Sequence, residues 1–149
     1  MDQLFQTRLI DAFTSNSNHV YDMLYLYGAH KNTAEFIDAL TKQYVKQHPA
    51  SKIIRTTSES FKDETIRTVV SGERFSVIEC DLFVLDGISE LAGMEANEQR
   101  LYGILDWLIE NKRQVVISGD VPVAQIIKLA PRICAQINGG ISCALNEET

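Results

Sequence analysis

The chain has 149 residues, of which 45 % are hydrophobic and 23 % are charged. These fractions are typical of one ordinary globular domain and exclude collagen, a coiled coil or general disorder. The 14 basic and 20 acidic side chains give a net charge of −6, so the chain as a whole is not expected to attract DNA or an anionic membrane.

Cysteine usage gives no sign of a disulfide framework or a zinc ribbon. The three cysteines are widely spaced, form no Cys-x-x-Cys pair and suit a reducing compartment. No apolar run approaches the roughly 20 residues that span a bilayer, and the first residues do not resemble a signal peptide. We therefore expect a cytoplasmic protein with no membrane partner.

Apolar periodicity predicts the elements in the first half of the chain. Apolar side chains at helical spacing indicate helices, whereas short, nearly continuous apolar runs suit strands that are buried on both faces. In chain order we predict a helix over 3–14, a strand over 23–27 that ends at Gly28, a helix capped by Thr33 that stops before Pro49, a strand over 52–56, and a helix that opens at Ser58 or Ser60 and ends at Gly72.

The second half continues the alternation. We predict a strand over 82–85 that ends in Asp86-Gly87, a helix over 97–111, a strand over 115–118, short helices over 124–129 and 132–137, and a strand over 141–145. Strands that alternate with helices predict an α/β sandwich with a mainly parallel sheet. No linker or repeat interrupts it, so we expect a single domain over 1–149, with an α/β core over 20–145 behind the N-terminal helix.

The ends of three predicted strands are the place to look for a site, because ligands of such sheets bind beyond the carboxyl ends of the strands. The segments concerned are 28–33, 86–87 and 118–120.

Motifs at these strand ends and beyond them carry a family resemblance. Segment 24–28, followed by Thr33, looks like a Walker A region, and segment 81–88, followed by 91–95, looks like a Walker B strand. Segment 114–122 looks like a sensor 1 strand. Pro131-Arg132 and Gly139-Gly140 look like an arginine-finger segment. In their order and spacing, residues 3–145 resemble the DnaA/Hda family of bacterial replication initiators and their regulators.

The resemblance implies a fold and a process. The fold is a three-layer, P-loop NTPase-like AAA+ core whose five-stranded, mainly parallel sheet has the order 5-1-4-3-2. The process is DNA replication initiation or its regulation. The helical lid and the DNA-binding domain of the initiator have no counterpart in this sequence, which implies a monomer or a simple dimer.

The phosphate-binding loop departs from the family's pattern. A working loop reads GxxxxGK[ST], in which backbone N–H groups wrap the phosphates and the lysine reaches them. Here the loop is shorter, the second glycine is missing, Asn32 stands at the lysine position and Lys31 lies one residue early. The resemblance assigns to a degenerate nucleotide site the residues Gly28, Lys31, Asn32, Thr33, Asp86 and Asp120.

The Walker B strand keeps one carboxylate. The resemblance places Asp86 in a Mg²⁺ shell, as the one candidate metal contact, whereas Gly87 stands where a second acidic residue would orient the attacking water. Asp120 matches the sensor 1 position, although Asp120-Val121-Pro122 also suits an ordinary turn. We assign no catalytic residue and do not expect ATP hydrolysis.

Two further segments are candidates for contacts with protein partners. Arg132 matches the first arginine of the arginine-finger segment, but Gln136 replaces the second. We therefore expect these two residues to take part in protein interaction rather than to stimulate ATP hydrolysis by a neighbouring subunit. Gln3-Leu4-Phe5 faintly resembles the peptide with which Hda-like proteins grip the sliding clamp, although Leu4 is expected to pack in the core.

The sequence contains one local basic cluster, which we expect to be a solvated face, and we expect no direct DNA binding. Its residues are Lys42, Lys46, Lys52 and Arg55.

We interpret the chain as a non-hydrolysing, AAA+-like protein-interaction module that needs no cofactor. Its partner would be the replication initiator or another AAA+ replication protein. One alternative is a regulatory switch that holds ATP or ADP with Mg²⁺ weakly through Lys31, Thr33, Asp86 and Asp120. Another is a plain α/β fold, which predicts a different strand order.

Overall fold

The computed structural model describes residues 3–15 and 22–145, and its elements follow the predicted order. The five strands and five α-helices are α1 (Gln3–Thr14), β1 (Met23–Gly28), α2 (His30–Gln47), β2 (Ile53–Thr57), α3 (Ser58–Ser71), β3 (Leu82–Asp86), α4 (Glu95–Glu110), β4 (Gln114–Gly119), α5 (Pro131–Asn138) and β5 (Ile141–Leu145). Short 3₁₀ turns over Ile88–Leu91 and Val123–Gln125 follow β3 and β4.

The five strands form one parallel sheet. Its order is β2-β3-β4-β1-β5, which is the predicted order 5-1-4-3-2 counted from the other edge. In the centre of the sheet, Leu24 of β1 pairs with Val116 of β4, and Val116 pairs in turn with Val84 of β3. The prediction of the strand order is confirmed, and the alternative of a different α/β topology is wrong.

Helices cover both faces of the sheet and make three layers. Tyr25 and Phe83 point into one apolar cluster together with residues of α3, α4 and α5. Their neighbours Leu24 and Val84 point into a second cluster with α1 and α2. Because side chains alternate along a strand, the continuous apolar runs of β1 and β3 supply both clusters at once.

Helix α2 begins earlier than predicted, and Thr33 does not cap it. The helix starts at His30, its N-cap position is Ala29, and no side chain accepts a hydrogen bond there. The Thr33 hydroxyl lies inside the first turn and donates to the backbone oxygen of His30 at 3.1 Å. The prediction of the cap is wrong because only one residue separates β1 from the helix.

Helix α3 begins at Ser58, as predicted, but its cap is Thr57. The Thr57 side chain accepts a hydrogen bond from the amide of Ser60 at 3.2 Å. Gly72 ends the helix in the left-handed conformation with φ +75°, which agrees with the prediction.

The predicted helix over 124–129 is a short 3₁₀ turn instead. Lys128 has φ +70°, in the left-handed region, so a right-handed helix cannot continue through it. Ile126 and Leu129 nevertheless lie against the core, as apolar residues in this stretch should.

None of the helices in the part of the chain that the structure describes is long and apolar enough to cross a membrane.

Candidate functional site

A cavity of about 370 Å³ lies at the carboxyl ends of the parallel strands, where such sheets place ligands. Its lining residues lie at the carboxyl ends of β1, β2, β3 and β4 and in the segments that follow them: Gly28, His30, Thr33, Thr57, Ser58, Glu59, Asp86, Gly87, Ser89, Glu90, Ser118, Gly119 and Asp120. The fold therefore brings together four of the predicted site residues, namely Gly28, Thr33, Asp86 and Asp120. Lys31 and Asn32 do not line it.

The connection between β1 and α2 is Ala29 alone, so there is no loop to surround a phosphate. The amides of Asn32 and Thr33 both donate to the carbonyl oxygen of Ala29, at 2.9 and 3.1 Å. The Asn32 side-chain amide donates to the carbonyl oxygen of Leu145, at the end of β5, at 3.3 Å. Lys31 is exposed on the first turn. This first turn is an ordinary strand-to-helix connection held by its own backbone.

Packing accounts for the glycine at the end of β1. Gly28 has φ +143°, and a Cβ atom there would lie 2.3 Å from the carbonyl oxygen of Leu145. Any side chain would therefore collide with the edge strand β5. The glycine that resembles the start of a Walker A motif is needed for the close approach of two strands.

Tyr25 accounts for the glycine of the sensor 1 segment. A Cβ atom on Gly119 would lie 2.2 Å from the hydroxyl of Tyr25, which donates to the carbonyl oxygen of Val121 at 2.6 Å. Burial, with smaller contributions from Asp120 and Tyr27, raises the pKa of Tyr25 well above its ordinary value. The tyrosine thus stays neutral and fixes the backbone that follows β4.

Asp86, the predicted metal contact, is ion-paired with an arginine. Its Oδ2 atom lies 3.3 Å from Nε of Arg55, and Nη1 of Arg55 lies 2.6 Å from Oδ1 of Asp38 on α2. Burial lowers the pKa of Arg55, but its hydrogen bonds and ion pairs with Asp38 and Asp86 outweigh that effect and raise it overall. The guanidinium group thus supplies the positive charge that a metal ion would bring to Asp86.

Gly87 is fixed by backbone geometry. It has φ +86°, and its amide donates to both the carbonyl oxygen and the hydroxyl of Ser118, at 3.1 and 3.0 Å. A side chain at this φ is strained, so this conformation selects glycine where the family's pattern has a second acidic residue. The contact ties the end of β3 to the end of β4.

Four of the thirteen residues that line the cavity carry a carboxylate. They are Glu59, Asp86, Glu90 and Asp120, and none of the described residues that line the cavity is a lysine or an arginine. The Ser89 hydroxyl donates to Oδ1 of Asp120 at 2.8 Å, and the Ser58 hydroxyl donates to Oε2 of Glu90 at 2.5 Å. Such walls disfavour a polyphosphate, which needs positive charge around it.

Arg132 and Gln136 lie elsewhere, where α5 packs on α4. The Arg132 guanidinium stacks over the ring of Tyr102, with 4.4 Å between its Cζ atom and the ring centroid. The Gln136 side-chain amide donates to the backbone oxygen of Tyr102 at 3.1 Å. Both side chains join two helices of one chain, and neither lines the cavity.

Arg55 has partners that the sequence did not predict. It is exposed, in agreement with the predicted solvated face, and it also joins α2 to the end of β3 through Asp38 and Asp86. Its position in the middle of a strand was an available signal, because a charged residue there needs a partner.

Leu4 also differs from expectation. Its side chain is 62 % exposed on α1, and that of Phe5 is 50 % exposed. The prediction that Leu4 packs in the core is wrong, because Leu9 and Phe13 form the buried side of the helix.

Comparison with known proteins decides the family. A family model described as the bacterial DnaA ATPase domain matches residues 5–144. The chain belongs to this family. Among its DnaA relatives, the chromosomal replication initiator of Lachnoclostridium phytofermentans is 24 % identical over 88 % of this chain and 30 % of its own length. That of Symbiobacterium thermophilum is 28 % identical over 83 % of this chain and 28 % of its own length.

Solved structures show the same DnaA-type fold at low sequence identity. Domain III of Thermotoga maritima DnaA has a TM-score of 0.85 and 16 % identity, over 95 % of this chain and 61 % of that one. AMPPCP-bound DnaA from Aquifex aeolicus has a TM-score of 0.81 and 17 % identity, over 95 % and 45 %. The DnaC helicase loader has a TM-score of 0.74 and 13 % identity, over 98 % and 90 %. This chain spans about a third or less of the curated DnaA proteins named above.

Proposed function

We propose that this DnaA-family chain acts in replication initiation or its regulation as a protein-interaction module that does not hydrolyse ATP. The observation that carries the proposal concerns the positions of the phosphate-binding loop and of the metal ion, which are both occupied by other groups. Ala29 stands alone where a phosphate loop would be, and Arg55 neutralises Asp86 where a metal ion would be. Phosphoryl transfer depends on positioned phosphates and on charge neutralisation by metal and lysine. None of the described residues that line the cavity is a lysine or an arginine that could neutralise a phosphate.

The partner we propose is the replication initiator or another AAA+ replication protein. Two kinds of similarity support this choice: the relatives are named as chromosomal replication initiators, and one structural neighbour is named as a helicase loader. A core of the same shape can present AAA+ surfaces to such a protein in the cytoplasm without binding nucleotide. We further propose that the chain is a monomer or a simple dimer before it meets its partner.

The direct test is binding between this chain and purified DnaA or helicase loader, measured by biolayer interferometry. We expect the dissociation constant to be the same within about twofold with and without Mg·ATP added to this chain, provided that the partner's nucleotide is held constant. No binding to either protein, or loss of binding when nucleotide is removed from this chain, would contradict the proposal.

The sliding clamp is a second candidate partner, favoured by the exposure of Leu4 and Phe5 next to Gln3. If α1 supplies a clamp-binding peptide, Leu4→Ala with Phe5→Ala should abolish capture by immobilised clamp, whereas Arg8→Ala on the same helix should not. Equal capture of the Leu4→Ala, Phe5→Ala double variant and of Arg8→Ala would contradict binding of the clamp through α1.

The rival function is a nucleotide switch, and the gathering of Gly28, Thr33, Asp86 and Asp120 around one cavity favours it. In that function Lys31 would reach the phosphates, so Lys31→Ala should weaken Mg·ATP binding about tenfold or more, whereas the exposed Lys112→Ala should not. An unchanged dissociation constant for Lys31→Ala would exclude the role of that lysine.

A further inference from the structure

The strand β2 forms an open edge of the sheet. It pairs with β3 on one side, and no other strand of the described chain lies on its other side. The amide of Leu82 donates to the carbonyl oxygen of Lys52, so alternate residues from Lys52 onward turn their backbone groups towards β3. The amide and carbonyl groups of Ile53 and Arg55 consequently point away from the sheet, as a template for one more strand.

A groove runs beside this edge. It has a volume of about 400 Å³ and lies between α2 and β2, lined by Asp38, Thr41, Lys42, Val45 and Arg55. Val45 is 49 % exposed and provides an apolar contact in it. Because the groove follows the open strand, a peptide bound to the strand would also place side chains against α2.

The rim of the groove carries positive charge that the protein does not neutralise. Lys42 lines the groove, Lys46 lies one turn further along α2, and both are exposed. No carboxylate of the described residues lies within ion-pair distance of them, whereas Arg55 is already paired with Asp38 and Asp86. In a chain of net charge −6, this row concentrates attraction for an acidic group.

We propose that β2 is a docking edge for an extended acidic segment of a protein partner, which adds as a further strand. Main-chain hydrogen bonds to Ile53 and Arg55 would supply affinity, and acidic side chains facing Lys42 and Lys46 would supply specificity. A second copy of the chain fits less well, because two such edges would bring lysines together. Nucleic acid fits less well too, because its backbone has no row of amides and carbonyls to match a strand.

The inference rests on the proposed interaction role and names one of its surfaces. The probe is a fluorescein-labelled peptide of alternating glutamate and valine, eight residues long, and the measurement is fluorescence anisotropy. We expect Lys42→Glu with Lys46→Glu to weaken binding about tenfold or more. Arg67→Glu, an exposed charge reversal on α3 at the other face of the sheet, is the matched control and should change binding less than about twofold.

Ile53→Pro tests the strand addition itself. Proline removes the outward-pointing amide and is tolerated on an edge strand, so the variant should fold yet bind the peptide about tenfold more weakly. If its urea midpoint shows that it does not fold, the same peptide with alternate amides N-methylated takes its place. That peptide keeps every charge but cannot pair with the strand, and it should bind the unmodified protein about tenfold more weakly.

Four results would overturn the inference. They are no binding of the acidic peptide at about 1 mM, equal binding of the N-methylated peptide, tighter binding of a single-stranded oligothymidine of the same charge, and self-association that Ile53→Pro abolishes. The assay contains neither nucleotide nor a replication protein. Its failure would therefore leave the proposed function standing, and binding of Mg·ATP would overturn that function without changing the peptide result.

Discussion

At the scale of single residues, Arg55 is the most informative side chain of the site. It comes from β2, and its guanidinium group contacts carboxylates on α2 and at the end of β3. The side chain of Asp86 is only 13 % exposed, so its charge needs a partner in the folded protein. Arg55 meets this need within the protein, and the proposed function depends on it.

Removing this arginine should destabilise the protein. Arg55→Ala leaves Asp86 without its partner, and we expect a loss of about 1–2 kcal/mol, between the values for exposed and for buried pairs. Urea unfolding measures it. Adding Asp86→Asn to that variant should restore much of the stability, and Arg67→Ala, which breaks an exposed pair with Glu64, should cost less than about 0.5 kcal/mol. Equal stability of Arg55→Ala and the unmodified protein would contradict the role of the arginine.

Cys80 should make the free energy of unfolding fall at alkaline pH. Burial, followed by the nearby charge of Asp81, raises the pKa of this thiol from near 9 to about 11. The unfolded chain therefore releases the proton first, so the contribution of Cys80 is fully present below about pH 9 and is lost as the pH rises towards 11.

Urea unfolding on either side of this interval, on the unmodified protein and on Cys80→Ala, measures the effect. The unmodified protein should lose about 2–3 kcal/mol more than the variant over the interval. Tyr44, whose pKa burial and then the charge of Asp81 raise to about 12, loses only the smaller contribution of Cys80 in the variant, so most of its own loss is common to both proteins. Equal losses would show that the thiol is not protected as the structure describes.

At the scale of elements, the contact between α4 and α5 decides what the arginine-finger segment does. Arg132 and Gln136 both contact Tyr102, so the outer turn of α5 is bound to its own chain. An arginine finger has to reach a phosphate of a neighbouring protein. A side chain at position 136 points instead into the space between two helices.

Restoring the missing arginine should therefore have no effect on a partner. We expect Gln136→Arg to leave the rate of ATP hydrolysis by purified DnaA unchanged, measured as phosphate release. It should also cost about 1 kcal/mol of stability, because the hydrogen bond to Tyr102 is lost. A clear stimulation of hydrolysis by this variant, but not by Gln136→Ala, would contradict this account of α5.

Some of the helices and strands could be predicted from the sequence and others could not. The apolar runs of β1 and β3 predicted those strands, because short, continuous apolar runs are typical of strands buried on both faces. The start of α2 could not be predicted, because it depends on a one-residue connection and not on the capping preference of Thr33. The pairing of Arg55 with Asp86 was not predicted, although the predicted order places β2 beside β3, because the side chains that meet at the strand ends depend on the register of the two strands.

At the scale of the whole molecule, the side chains of the protein itself fill and hold the DnaA-type core. Two apolar clusters fill the spaces on both faces of the sheet, and the cavity walls are held by protein hydrogen bonds such as that between Gly87 and Ser118. A ligand that bound this folded state would raise its stability by about 2.7 kcal/mol at a hundredfold excess over its dissociation constant. We expect no such gain from Mg·ATP or Mg·ADP, because the cavity offers carboxylates and not a phosphate loop.

Calorimetric titration of the purified chain with Mg·ATP and with Mg·ADP measures whether the cavity at the strand ends binds a nucleotide. We expect no heat of binding up to about millimolar nucleotide, which would direct the search entirely to protein partners. A dissociation constant in the micromolar range would contradict this expectation and would establish the rival function, a nucleotide-controlled switch built on the same cavity.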